Sequence, residues 1–224
     1  MAPKITHCIF DMDGLLLDTE RVYTEVTSTI LARYGVEFTY ELKAPMMGAK
    51  AHAAAEYLLS TTGVPLSVED YLTERNQMQL DRFPDCEPLP GVVRLIQHLK
   101  RCGVPIAVAT GSYRAAYELK TQRHQALFSL FDVVVLSDDP AIKQGKPAPD
   151  LFEEARKRLG APDPAHCLVF EDAINGVQAA HNAGMPVIWI PDPRANRDIT
   201  PAPTEIIDSL EHFDLVKYGL PAFE

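Results

Sequence analysis

Two aspartates, Asp11 and Asp13, stand directly behind the apolar run ITHCIF (5–10), in the stretch FDMDG. A buried strand gains no stability from close-set carboxylates, because like charges repel and taking either out of water is costly. Their placement points to something positive, or something to be attacked, between them. Three further apolar runs end in side chains of chemical use. PIAVAT (105–110) runs into Gly111-Ser112, so its end reads Thr110-Gly111-Ser112. FDVVVLS (131–137) leads to Lys143-Gln144-Gly145-Lys146-Pro147, and HCLVF (166–170) ends in Glu171-Asp172. Clustered Asp and Glu oxygens suit Mg²⁺, which keeps waters and binds phosphate oxygens beside one or two carboxylates. A lysine and a hydroxyl neutralise and hydrogen-bond the remaining phosphate oxygens. With the charge screened in this way, one carboxylate can attack a phosphoryl group. A second acid two residues on can protonate the leaving oxygen and later activate water.

Each stretch taken singly has a plainer reading. Thr110-Gly111-Ser112 suits a turn or a helix N-cap. A lysine before proline suits a solvated loop, and Glu171-Asp172 suits the acidic first turn of a helix. All four at successive strand ends favour one shared site.

That sharing requires a particular architecture. The runs at 5–10, 105–110, 131–137, 166–170 and 186–190 read as buried strands. Helical patterns fall between them at 91–103, 113–123, 149–160 and 174–184. Such alternation predicts an α/β fold: a Rossmann-like parallel sheet flanked by helices, with ligands bound beyond the carboxyl ends of its strands. Residues 18–83 lack strand-like runs and read as helices at about 18–34, 50–62 and 67–82, closed by the proline-marked linker FPDCEPLPG (83–91). The expected organisation is a core of residues 1–16 and 85–224 with a small helical cap, residues 17–84, inserted in it.

Composition narrows the partners. A formal charge of −10 argues against a nucleic acid backbone, yet leaves room for a small phosphorylated ligand at one local positive site. No apolar run reaches the length of a membrane span, and MAPKITHCIF reads as the approach to a core strand rather than a signal peptide. Cys8, Cys86, Cys102 and Cys167 show no metal-like spacing, and Cys8 and Cys167 lie in apolar runs. A cytoplasmic protein without a membrane partner, monomeric or weakly dimeric, is expected.

FDMDG, TGS, GKPAPD and FEDAINGV resemble, in order and spacing, the four motifs of the haloacid dehalogenase-like (HAD) phosphotransferases. LLLDTE, directly after the first motif, resembles the start of the small helical cap found in one subclass. MMGAK, LKTQRH, LFSLFD, SDDP and YGLP extend the likeness along nearly the whole chain, which is similar to eukaryotic pseudouridine-5′-phosphatases. The resemblance implies roles. Asp11 would be the nucleophile, forming an aspartyl-phosphate and ligating Mg²⁺. Asp13 would be the general acid and base, with its backbone carbonyl on the metal. Met12, Thr110, Gly111 and Lys146 would hold phosphate, and Asp172 would complete the metal ligands. Glu171 would be a further ligand or a supporting acid. Many relatives carry Ser or Asn where this chain has Gly111, so only a backbone contact carries over there. Glu20 and Lys50 are candidates for facing the substrate, weighed equally against a solvated surface role. LKTQRH (119–124) is a candidate for lining the cleft, with its Arg123 and His124 weighed equally as a local structural cluster. The implied activity is a Mg²⁺-dependent phosphomonoesterase of a small phosphorylated metabolite, pseudouridine 5′-phosphate first. A sugar-phosphate phosphatase for hexose or glycerol phosphate, or an isomerase of the β-phosphoglucomutase type, stays open. A receiver-type signalling domain fits poorly, because it is shorter and has no inserted cap.

Overall fold

The computed structural model describes residues 4–47 and 51–223. Six strands, β1 (His7–Phe10), β2 (Ile106–Ala109), β3 (Val133–Val135), β4 (Cys167–Glu171), β5 (Val187–Trp189) and β6 (Glu205–Ile206), form one parallel sheet. Their order, β3-β2-β1-β4-β5-β6, puts β1 between β2 and β4 near the middle. Alternate side chains of a strand point to opposite faces, and the apolar runs supply both faces. Phe10, Val108 and Phe170 pack in one core, with Ile9, Ala107 and Val169 in the other. Such doubly buried strands need helices on both sides. On one side α5 (Val92–Arg101) buries Val92, Leu95, Ile96 and Leu99. On the other, α8 (Asp150–Arg158) and α9 (Ile174–Asn182) bury Leu151, Phe152, Val177 and Ala180. The two remaining helices after β2 are α6 (Arg114–Thr121) and α7 (Gln125–Phe128).

Between β1 and α5 the described residues form helices: α1 (Thr19–Ala32), α2 (Tyr40–Lys43), α3 (Ala51–Thr62) and α4 (Val68–Arg82), with short 3₁₀ turns. The Asp18 carboxylate accepts from the Arg21 N–H at 3.3 Å, and the Ser67 hydroxyl accepts from the Asp70 N–H at 3.0 Å, capping α1 and α4. The strands into and out of this block run side by side. Asp18 N–H donates to the Glu87 carbonyl at 2.9 Å, and Leu89 N–H donates to the Leu16 carbonyl at 3.1 Å.

All five expected strands are present: four are shorter than their apolar runs, and β4 is as long as its run but shifted by one residue. β6 has two residues, and α2 and α7 four each, too short for periodicity to reveal. Lys50 lies outside the described residues. Among the described residues no helix is long and apolar enough to cross a membrane.

Phe10 and Phe170 are register partners on β1 and β4, with rings stacked at 4.5 Å and no exposed surface. This pairing fixes the position of the next residues, Asp11 and Glu171. Phe170→Ala is expected to lower unfolding free energy by about 3–5 kcal/mol in urea titrations. A loss under about 1 kcal/mol would show that the stack does not anchor the sheet.

Candidate active site

The carboxyl ends of β1, β2 and β4, with the loop before α8, bring the sequence-predicted residues together. Lys146 Nζ lies 2.5 Å from Asp11 Oδ1 and 2.5 Å from Glu171 Oε1. Its loop is anchored on both sides: the Lys143 and Gln144 N–H groups donate to Asp150 Oδ2 at 3.0 Å, and Asn182 Nδ2 donates to the Pro147 carbonyl at 2.9 Å. Glu171 Oε2 accepts from the Ala173 N–H at 2.9 Å. Asp172 is held through its backbone carbonyl, which accepts from the Trp189 indole at 2.7 Å. Thr110 is fully buried and donates its hydroxyl to Asp13 Oδ2 at 3.2 Å. Met12, also fully buried, offers its carbonyl to the Leu16 and Leu17 N–H groups and so closes the turn after β1. Gly111 lines the mouth of the site.

Two glycines leave room for the acids. A Cβ on Gly176 would collide with the Glu171 carboxylate. Gly14 has φ +80°, and a Cβ there would strike Asp172 Oδ2. Both conditions admit glycine alone at this turn.

Electrostatics divides the acids into two groups. Burial pushes the Asp11 carboxyl up to about 7, with the charges of Glu171 and Asp13 adding to the rise and Lys146 opposing it. Burial, then Glu171 and Asp11, likewise push Asp172 well above the usual carboxylate range. Asp13 goes the other way: burial raises it, but Lys120 and the hydrogen bonds from Lys120 and Ser112 outweigh burial and hold it low. Burial alone would lower the Lys146 ammonium, and Asp11 and Glu171 reverse this to hold it above the usual lysine range. Asp11, Glu171 and Asp172 each offer an oxygen within 4.8 Å of the others. These hard oxygen donors face one ammonium, Lys146, and retain an excess of negative charge. The donor set therefore fits a divalent cation such as Mg²⁺.

Three residues to which the sequence assigned no individual role sit beside Asp13. Ser112 Oγ donates to Asp13 Oδ2 at 2.7 Å, Tyr23 OH to Oδ1 at 3.2 Å, and Lys120 Nζ to Oδ1 at 2.5 Å. LKTQRH does reach the site, but through Lys120. Its Arg123 pairs with Asp85 at 2.9 Å and His124 Nε2 lies 2.7 Å from the Cys86 carbonyl oxygen, so both serve the linker instead. Of the remaining candidates, Glu20 lines the mouth and forms a 2.7 Å ion pair with Lys43.

The mouth continues into a cavity of about 550 Å³ among the helices, lined by Tyr23, Thr27, Lys43, Tyr71 and Arg75 and sharing Gly111 with the acidic site.

Residues 5–184 match the haloacid dehalogenase-like hydrolase family, and the chain belongs to it. It is 52% identical over 225 residues to (DL)-glycerol-3-phosphatase 2 of Arabidopsis thaliana, covering 99% of this chain and 94% of that protein. It is 44% identical over 222 residues to a Drosophila melanogaster protein named probable pseudouridine-5′-phosphatase, covering 98% and 96%. A haloacid dehalogenase-like protein of Agrobacterium tumefaciens shares the fold, with TM-score 0.80, 23% identity and coverage of 92% and 95%.

Mg²⁺ at a hundredfold its Kd is expected to raise Tm by on the order of 5–10 °C. Asp172→Asn should remove most of that rise, and in EDTA it should be no less stable than the parent because it relieves a like-charge contact. Thermal melts decide this, and an unchanged Mg²⁺ response in the variant would overturn the ligand assignment.

Proposed function

We propose that this chain is a phosphomonoesterase of small phosphorylated metabolites working through an aspartyl-phosphate at Asp11. The observation that carries this reading is Lys146 bridging Asp11 and Glu171 beside Asp172, with Asp13 two residues from the nucleophile. An Asp11 carboxylate oxygen attacks phosphorus, forming an acyl phosphate as the P–O ester bond breaks. The leaving oxygen takes the electron pair and a proton from Asp13, which enters this step in its protonated form although Lys120 favours the ionised one in the free protein. Asp13 then draws a proton from water, whose oxygen attacks the same phosphorus and releases phosphate and the Asp11 carboxylate. The Met12 and Gly111 amides and the Lys146 ammonium hold the phosphoryl oxygens, joined by the Thr110 hydroxyl once its one proton turns from Asp13 Oδ2. Asp11, Asp172 and the Asp13 carbonyl would hold Mg²⁺, with Glu171 in support. When bound, the ion supplies positive charge against the phosphoryl oxygens.

Residues 17–84 act in this reading as a cap over a core of residues 1–16 and 85–224, excluding water and selecting the leaving group. Glu20 and Lys50 belong to its substrate-facing candidates. The helical cavity of about 550 Å³ lies in the size range of sites that enclose a ligand larger than a three-carbon fragment. This supports a nucleoside-sized leaving group and hence pseudouridine 5′-phosphate, as does the name of the Drosophila relative. Glycerol 3-phosphate is the second reading, favoured by the 52% identity to the Arabidopsis glycerol-3-phosphatase. The enzyme acts in the cytoplasm as a monomer or weak dimer on free metabolites, and its four free cysteines suit a reducing compartment.

Phosphate release from pseudouridine 5′-phosphate, uridine 5′-phosphate, glycerol 3-phosphate and hexose phosphates, with and without Mg²⁺, ranks these readings by kcat/KM. Asp11→Asn should abolish release without lowering Tm. Near-normal turnover by that variant would overturn the nucleophile assignment, and isomerisation of a sugar phosphate without phosphate release would point to a mutase.

A further inference from the structure

Lys120 is the feature of the site that the proposed chemistry does not use. It stands in the last turn of α6 with 2% of its surface exposed. Removing a lysine ammonium from water costs several kcal/mol unless partners replace the solvent. Here all three of its N–H bonds have acceptors: Asp13 Oδ1 at 2.5 Å, Ser112 Oγ at 2.8 Å and Tyr23 OH at 3.0 Å. The Phe83 ring lies 4.3 Å from the ammonium. The partners come from four separate parts of the chain: the turn after β1, the end of β2, helix α1 and the turn after α4.

The partition of charge shows what the lysine does. Lys146 contacts Asp11 and Glu171, and Lys120 is the cation in contact with Asp13. Asp13 lies two residues from Asp11 and next to an acidic cluster that repels it. Four donors fix its carboxylate: Lys120 and Tyr23 on Oδ1, Ser112 and Thr110 on Oδ2. Among these four, Lys120 alone carries a full positive charge, and it also fixes Ser112 and Tyr23.

We propose that Lys120 is the positioning residue of the acid–base step, holding the Asp13 carboxylate at the leaving-group side of the site and away from the Asp11–Glu171–Asp172 cluster. This rests on the proposed phosphatase reading, and in particular on Asp13 as acid and base. Lys120 acts through Asp13 and makes no contact of its own with the reacting atoms. Tyr23 and Phe83 complete its enclosure from the helical segment, their rings meeting edge to face at 6.0 Å. Asp13 is thereby held in place by groups from both the sheet and the helices.

The test compares Lys120→Met, Asp13→Asn and the double variant. Two probes are used: p-nitrophenyl phosphate, whose leaving group departs without a proton, and the alkyl phosphate turned over best by the parent enzyme. The readout is the single-turnover rate of ester cleavage at saturating substrate, with KM measured in parallel. Lys120→Met should slow alkyl ester cleavage by about 100-fold, the lower end of what a positioned acid contributes. KM should stay nearly constant, and p-nitrophenyl ester cleavage should fall far less. In the Asp13→Asn background Lys120→Met should cause no further loss, because the group it positions has already lost its function. Equal losses on both esters, or a full loss persisting in the Asp13→Asn background, would overturn the proposal. Should Lys120→Met fold poorly with an unpaired Asp13, Asp13→Asn against the double variant still decides: the double variant buries neither charge, and in Asp13→Asn the ammonium keeps Ser112, Tyr23 and an amide oxygen as acceptors. Unchanged alkyl ester cleavage in Asp13→Asn itself would instead refute the acid–base role of Asp13.

Discussion

Four carboxylates crowd the carboxyl edge of β1 and β4, and two lysines, Lys120 buried and Lys146 partly so, hold three of them there. Each charge taken from water costs several kcal/mol unless a partner of opposite sign stands close with good geometry. Lys146 stands 2.5 Å from both Asp11 and Glu171, and Lys120 stands 2.5 Å from Asp13. The lysines come from different places, one from a loop before α8 and one from the end of α6. The fold around the site is largely a means of delivering these ammonium groups to the acids.

Much of the local architecture follows from that demand. The loop carrying Lys146 is pinned through Asp150 and Asn182, so the ammonium arrives on a fixed arm. The Phe10–Phe170 stack sets the register that puts Asp11 beside Glu171. Gly176 and Gly14 remove the Cβ atoms that would occupy the space of the Glu171 and Asp172 carboxylates. Asp172 has no lysine in contact, and its carboxyl is pushed up by burial and then by its acidic neighbours. It remains the group with most to gain from a metal ion.

The sheet and the acidic site were legible in the sequence because both leave local signals. Apolar runs of strand length mark β1 to β5; the acids follow their runs directly, Thr110 closes its own, and Lys146 lies a short loop beyond its run. β6, α2 and α7 are too short to carry a period. Lys120 was hidden for another reason: inside LKTQRH it reads as an ordinary polar helix residue, and only the packing of α6 against Phe83 and Tyr23 buries it. Tyr23 was equally silent, since an aromatic on an amphipathic helix is normally core. Arg123 and His124 were noticed because they are charged and adjacent, yet the linker residues Asp85 and Cys86 take them.

The paired crossing beside the site has a wider consequence. Leu17 bridges both Asp13 and Pro88, so the two ends of the 70 residues between Leu17 and Pro88 are joined by backbone hydrogen bonds at a single doorway. Closing a chain segment between fixed ends grows only slowly more costly with its length, by about 0.6 kcal/mol per doubling. A segment that leaves and returns through one doorway can lengthen, shorten or be exchanged while the strands on either side keep their register. The chemistry of the sheet edge and the shape that meets the substrate are thus free to change at different rates over a protein's history.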